Sequence, residues 1–364
     1  MKKIIILFLL IVIPVKVCAL SASSYVVMDY DSKRILEGSN INEKKLIAST
    51  TKIMSAIIAI ENADINQEIE ISKDVLKAYG SAIYIEVGEK LKLIDLIYGL
   101  MLRSGNDAAI EIARVVSGSM DEFVKKMNEK AKEIGMNNTL FINNHGLEDS
   151  DGNGNTSTAY DMALLMQYAM HNDIFKEVTK SKRYVVKSSY KTYDWYNKNR
   201  LLEEYKYTIG GKTGYTKKAK RTLVTIASKD DKTIIIVTLN DPNDFNNHKA
   251  LYEENFKKYN LVTILNKNLF SVNDVTYNGK VYIKDDVKIL LNNNEEDKIS
   301  IDYEMYPSGN YNNDSQVGSA KIKLDNEVIE TIPIYLKVND YKEDNNNNNK
   351  NWLQKLIDFL IFWR

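Results

Sequence analysis

The chain has 364 residues, with 49 basic and 49 acidic side chains and 44% hydrophobic residues. That length suits two domains with a sizeable core, and a net charge of zero argues against nucleic acid as a partner. The single cysteine, Cys18, excludes an intrachain disulfide. Its place in an apolar leader also leaves the remaining sequence without a thiol nucleophile or thiolate metal site.

Lys2 and Lys3 precede an unbroken apolar run over 4–13, and Val17-Cys18-Ala19 supplies small residues for cleavage. Ten or so apolar residues fall short of the ~20 needed to span a bilayer, so residues 1–20 read as a secretory signal. Lys16 and Val17 are poor neighbours for lipid modification of Cys18. The expected location is the outer face of the cytoplasmic membrane.

Residues 25–30 alternate and read as a strand, turning through Asp31-Ser32-Lys33 into Arg34-Ile35-Leu36. After Ser49, the spacing of Ile53, Ile57, Ile58 and Ile60 predicts a buried helix. A second helical stretch over 93–102 stops at Ser104-Gly105-Asn106 and restarts over 108–116. Residues 121–134 are amphipathic and end at Gly135, the usual C-terminal stop. A polar loop over 147–156 leads into a helix from Thr158 to Met170. Strands over 223–227 and 234–239 flank the charged turn Lys229-Asp230-Asp231-Lys232, and 247–259 is helical again. Helices before and after a hairpin predict an α/β (α+β) domain over 21–260.

From 261 the texture changes to short alternating runs separated by Asn and Gly turns, which predicts a small all-β domain over 261–340. An Asn-rich stretch over 341–350 reads as a polar linker. Residues 351–364 place Gln354, Lys355 and Asp358 on one helical side and Trp352, Leu353, Leu356, Ile357, Leu360 and Ile361 on the other. Such a helix reaches only ~20 Å against a ~30 Å hydrocarbon core. It is expected to lie in the membrane interface as an anchor.

Three short motifs carry the chemistry. In Ser49-Thr50-Thr51-Lys52 the serine and lysine share one helical face, within reach of each other. A serine needs a base to become a nucleophile. An ordinary lysine is almost wholly charged at pH 7, and poising it near neutrality takes ~4 kcal/mol. Burial and a second cation supply that, and Lys212 is the obvious second cation. Ser104-Gly105-Asn106 breaks a helix and aims two short polar side chains into a cavity. There Ser104 can relay a proton and Asn106 can pair with a substrate amide. Lys212-Thr213-Gly214 supplies a cation, a hydroxyl and a bare strand edge beside which a substrate strand fits, its carboxylate near Thr213. Gly210 and Gly211 are expected to relieve crowding. The backbone N–H groups of Ser49 and Tyr215 are candidate oxyanion donors.

Two of these patterns recur by chance in the same chain, at Ser188-Ser189-Tyr190-Lys191 and Ser308-Gly309-Asn310. The first falls in a solvated, strand-like stretch, where alternation is expected to separate Ser188 from Lys191. The second falls in a turn of the β domain. None of the histidines, His145, His171 and His248, has triad-like or metal-binding spacing. His145 remains a candidate for the cleft rim.

Ser-x-x-Lys, Ser-x-Asn and Lys-Thr-Gly in this order resemble the signature of penicillin-binding proteins and class A β-lactamases. The surroundings narrow the likeness. Residues 47–54, 102–109, 157–163 and 212–216, with Asn144-His145-Gly146-Leu147, resemble segments of the bacterial low-molecular-mass penicillin-binding D-alanyl-D-alanine carboxypeptidases. Gln316-Val317-Gly318 and the C-terminal amphipathic helix are also familiar from that family.

The resemblance implies a serine-transpeptidase fold, with a helical cluster on an antiparallel sheet and the β domain as a stalk. It implies removal of the terminal D-alanine from peptidoglycan stem pentapeptides through a Ser49 acyl-enzyme, with β-lactam antibiotics acylating the same serine. By carry-over Lys52 is the base, Ser104 the relay, and Lys212 and Thr213 the carboxylate holders. No cofactor is implied. Two departures stand out. Lys220 replaces a common glycine, and Asp241-Pro242-Asn243-Asp244-Phe245-Asn246 lacks an arginine that relatives often use for the substrate carboxylate, leaving Arg221 or Lys249 as substitutes. The alternatives are a catalytically silent peptidoglycan-binding protein and a D,D-endopeptidase. A β-lactamase needs a glutamate-activated water, and the only acid in a comparable loop is Glu148.

Overall fold

The computed structural model describes residues 20–338 apart from 273–276, 278 and 308. The signal, the linker, the C-terminal helix and the Ser308 pattern expected from the sequence therefore lie, wholly or at their key residue, outside the described residues. Two compact units meet between Leu261 and Val262.

The first unit is built on a five-stranded antiparallel sheet. Its strands are β1 (Ser24–Asp29), β2 (Ile35–Ser39), β5 (Thr208–Thr216), β6 (Lys220–Lys229) and β7 (Lys232–Leu239), in the order β2-β1-β7-β6-β5. A separate hairpin, β3 (Arg183–Lys187) with β4 (Thr192–Tyr196), comes between them in sequence. The β6–β7 turn uses Asp230 and Asp231 at φ 51° and 62°, the two left-handed residues that a tight antiparallel hairpin requires. Alternation then divides the sheet's side chains. Val26, Met28, Val224, Ile226, Ile235 and Val237 enter a helical core on one face. On the other face Thr225 meets His248 of α8 (Asp244–Lys258).

Six helices build that core: α1 (Lys52–Asn62), α2 (Leu93–Tyr98), α3 (Asn106–Ser117), α4 (Met120–Glu133), α5 (Ala159–Ala169) and α6 (Asp173–Lys180). A short α7 (Leu201–Glu204) precedes β5. In α1 every residue from Lys52 to Ile60 is buried, so the helix is enclosed on all sides. Its start is fixed by the site rather than by an exposed cap.

Residues 173–187, where the pattern predicts no element, form α6 and β3. There Asn172 caps α6 by accepting from the N–H groups of Ile174 and Phe175, and Phe175 and Val178 are buried. The stretch holding Ser188 and Lys191 is the β3–β4 turn, not a solvated strand. Ser188 is buried against Glu89 and its hydroxyl accepts from the Lys191 backbone N–H across the turn, while the Lys191 ammonium bonds away to Glu86, so the amine is not turned to the hydroxyl.

Among its described residues the second unit is all-β apart from one helical turn at Glu296–Lys298. It contains β8 (Asn260–Leu265), β9 (Gly279–Tyr282), β10 (Val287–Leu291), β11 (Ile299–Met305), β12 (Gln316–Leu324) and β13 (Glu327–Val338). A four-stranded antiparallel sheet runs β9-β13-β12-β11, and β8 pairs with β10. Ile283, Ile289, Val317, Ile322 and Leu336 fill its own core.

Candidate active site

The nucleophile segment is a strained turn. Ala48 adopts φ 47° and opens a 3-10 turn, Ala48–Thr51, that runs directly into α1. A side chain at Gly146 would place its Cβ 2.0 Å from Ala48 O, so only glycine lets that loop back the turn. Ser49 is thereby presented one turn before Lys52.

Lys52 is fully buried. Its Nζ lies 3.1 Å from Ser49 Oγ, 2.8 Å from Asn106 Oδ1 and 2.6 Å from His145 O. Burial, then the charges of Lys212 and Lys198, hold its pKa well below the usual lysine range. A neutral amine keeps two hydrogens for the two carbonyl oxygens, which can only accept, and turns its lone pair to the Ser49 hydroxyl. Every polar atom is then satisfied, with Ser49 donating to its base.

The second motif closes the cavity from another side. A wide helical turn, Gly99–Arg103, continues α2 and stops on Ser104, which is left-handed at φ 64° and ψ 36°. Such turns recur at functional sites. The Ser104 hydroxyl is buried and has no hydrogen-bond partner among the described residues, so it is available as a relay. Asn106 has a further task. Its Oδ1 accepts from Lys52 and its Nδ2 donates to Tyr79 O at 2.6 Å, so it holds the base and keeps one amide hydrogen and one lone pair beyond those bonds.

Lys212-Thr213-Gly214 lies inside β5, the edge strand. Arg221 O accepts from Asp241 N on the far side of β6, so the facing pair Arg221–Tyr215 is not hydrogen-bonded across the ladder. Alternation then turns the backbone N–H groups of Tyr215 and Thr213 outward to the open edge. The same parity is visible at Gly211, whose N–H donates to Thr179 Oγ1 on α6 at 2.9 Å. Gly210 and Gly211 do relieve crowding, but from the protein itself. Added Cβ atoms would meet Thr179 at 2.5 Å and Val224 O at 2.6 Å. A Cβ at Gly214 would lie 3.0 Å from Ser49 N, so bare Gly214 brings the two proposed oxyanion donors together.

Lys212 is buried, and its Nζ donates to Thr213 O at 2.9 Å. Burial, then Lys198, push its pKa down to about 7. Lys212 thus stands as the charged neighbour that disfavours a second charge on Lys52.

Ser49, Ser104, Thr213, Gly214 and Tyr215 line one cleft of about 330 Å³. Sequence reasoning missed two of its walls. Ser81 and Lys198, joined by a hydrogen bond, form one, and Asp244 and Phe245, both in contact with Arg221, form another. Of the two cations named as substitutes for the missing arginine, Arg221 lines the cleft, while Lys249 is paired with Glu204. Glu148 accepts from Thr216 Oγ1 and is not among the cleft-lining residues.

His145 supplies its backbone oxygen to Lys52. Its ring Nδ1 accepts from Leu147 N at 3.1 Å, and burial, then Lys52, push its pKa down to about 4. His248 is buried behind the sheet, and His171 stacks on Tyr30. Among the described residues no group of three His, Cys, Asp or Glu side chains is placed to hold a metal.

Residues 12–243 match the family model for D-alanyl-D-alanine carboxypeptidase, and 259–342 match that for the penicillin-binding protein 5 C-terminal domain. The chain is 36% identical over 222 residues to the D-alanyl-D-alanine carboxypeptidase DacF of Bacillus subtilis, covering 59% of this chain and 56% of that one. Against DacB2 of Mycobacterium tuberculosis it is 32% identical over 218 residues, covering 60% and 74%. The match therefore spans little more than half the length of DacF. The crystal structure of the D-alanyl-D-alanine carboxypeptidase DacD from Francisella tularensis superposes with a TM-score of 0.69 at 26% identity, over 93% of this chain and 96% of that one. The chain belongs to the D-alanyl-D-alanine carboxypeptidase family.

Proposed function

We propose that the chain is a serine-type D-Ala-D-Ala carboxypeptidase that releases the terminal D-alanine of peptidoglycan stem peptides. The observation that carries this reading is the set of Lys52 contacts, which leaves the Ser49 hydroxyl as the one partner able to give the amine a proton. Ser49 Oγ adds to the penultimate carbonyl carbon as its proton passes to Lys52. The developing oxyanion is met by the N–H groups of Ser49 and Tyr215. Lys52 returns the proton through Ser104 to the leaving nitrogen, the C–N bond breaks and D-alanine departs. Water then attacks the Ser49 ester by the same route in reverse, freeing the peptide acid and the serine. Thr213 and Lys212 hold the terminal carboxylate.

The same attack on a β-lactam carbonyl gives a penicilloyl-Ser49. An exported enzyme at the outer face of the cytoplasmic membrane fits residues 1–20 as a signal and 351–364 as an interfacial helix. Among the described residues no helix is long and apolar enough to cross a membrane.

Incubation with a fluorescent penicillin tests the reading: wild type is labelled and Ser49→Ala is not. Release of D-alanine from a D-Ala-D-Ala peptide separates hydrolysis from silent binding. An unlabelled wild type sinks the assignment, and rapid turnover of the drug points to a β-lactamase instead.

A further inference from the structure

The cations around the cleft differ in how far they are neutralised. Arg221 Nη2 is 2.7 Å from Asp244 Oδ1, and the guanidinium also packs on Phe245. Lys249 is paired with Glu204 at 3.2 Å. Lys52 and Lys212 are buried, with their Nζ atoms directed at protein oxygens. Lys198 is different. It has no carboxylate partner among the described residues, and its Nζ contacts Ser81 Oγ at 3.3 Å.

The seat of Lys198 is built from the second motif. The backbone N–H of Lys198 donates to Leu102 O at 3.0 Å, and Ser81 O accepts from Asn106 N at 2.7 Å. Just beyond Ser81, the N–H groups of Ile83, Tyr84 and Ile85 converge on the buried carboxylate of Asp107. One short segment, 102–107, therefore fixes both the lysine backbone and the serine on which its ammonium rests.

Lys198 lines the same cleft as Ser49, Ser104 and Thr213, and its charge lowers the pKa of both Lys52 and Lys212. Its residue is exposed overall, as is usual when a lysine stem crosses a surface and only the head enters a crevice. At that head partial desolvation, then Arg103, lower its own pKa. An ammonium without a counter-ion, in a cleft whose rim arginine is already ion-paired, is an anion site.

We propose that Lys198, seated on Ser81, binds a carboxylate of the substrate peptide and is a specificity-determining residue of the cleft. This rests on the carboxypeptidase reading. The carboxylate has two possible sources, the terminal D-alanine itself or an acidic side chain upstream of the scissile bond.

The test measures D-alanine release by wild type, Lys198→Gln and Lys198→Arg on two D-Ala-D-Ala peptides, with penicillin labelling and melting curves alongside. One peptide carries only its terminal carboxylate; the other adds an acidic side chain upstream. Lys198→Gln is expected to raise KM about tenfold, with the acid limb of kcat moved toward alkaline pH as Lys52 loses a neighbouring charge, and Lys198→Arg to restore both. Equal loss on both peptides assigns the terminal carboxylate, and loss confined to the acidic peptide assigns the upstream one. An unchanged KM on both, or a loss that arginine does not repair, overturns the proposal while wild-type labelling leaves the carboxypeptidase reading intact. A wild type that neither binds penicillin nor releases D-alanine sinks both.

Discussion

Lys52 Nζ lies 3.1 Å from Ser49 Oγ while Asn106 Oδ1 and His145 O hold it from two other directions. Those two oxygens fix where the amine hydrogens go, so the lone pair of the neutral form has one destination. Lys52→Met removes the base without adding charge and is expected to slow penicillin acylation by ~10²–10⁴. Lys52→Arg is expected to fail as badly, because a guanidinium stays charged. Stopped-flow labelling decides it; acylation above a tenth of the wild-type rate in Lys52→Met refutes the role.

The electrostatics of Lys212 make a second, directional prediction. Its positive charge is one cause of the lowered Lys52 pKa, second to burial. Lys212→Gln removes that charge, so Lys52 holds its proton to higher pH. The acid limb of the acylation profile is then expected to move toward alkaline pH, on top of a reduced plateau, with the fold intact by circular dichroism. A limb that stays put or moves the other way removes Lys212 from the tuning of the base.

Much of this site was legible in the sequence because its parts are local. Ser49 and Lys52 meet through helical spacing, Ser104 breaks a helix where the motif says it should, and Lys212 to Tyr215 lie on a strand edge. What stayed hidden depends on long-range pairing. Asn106 has a donor and an acceptor in any fold, and only tertiary structure assigns them to Tyr79 and Lys52. Ser81 and Lys198 sit in loops without period or motif and are joined across more than a hundred residues of chain. The α6 helix was readable after all from the Asn172 cap followed by Phe175 and Val178, but its eight residues give too little periodicity to stand out.

His248 gives the fold a built-in acid lability. Its Nδ1 and Nε2 lie 2.7 and 3.1 Å from the hydroxyls of Thr225 and Thr238, and burial pushes its pKa down to about 3. In the unfolded chain the ring titrates near ~6.5. Between those values the unfolded state binds a proton that the folded state refuses, so stability falls as pH drops through that window and is untouched above it. By pH 4 the loss is on the order of 3 kcal/mol. His248→Gln removes this titration, whatever it costs at neutral pH. Urea unfolding at pH 7 and pH 4 should therefore show the variant gaining on wild type as pH falls; a constant difference contradicts the burial argument.

Lys220 opens β6 directly after the β5–β6 turn and holds φ at 60°. A side chain with a Cβ is disfavoured there by ~1–2 kcal/mol, and the lysine is exposed, so no packing offsets the cost. Glycine reaches that backbone freely, although it gives back ~0.5–1 kcal/mol by loosening the unfolded chain. Lys220→Gly is therefore expected to stabilise the protein by about 0.5 kcal/mol. Lys220→Val is expected to destabilise it by ~1 kcal/mol or more, since a β-branched residue fits the left-handed region worst. Penicillin labelling should be unchanged in Lys220→Gly, because Lys220 pairs with Thr216, at the end of β5 beyond Lys212 to Tyr215. Urea midpoints rank the three proteins, and an order with valine above lysine would show that the turn relaxes around its first strand residue instead of imposing its conformation on it.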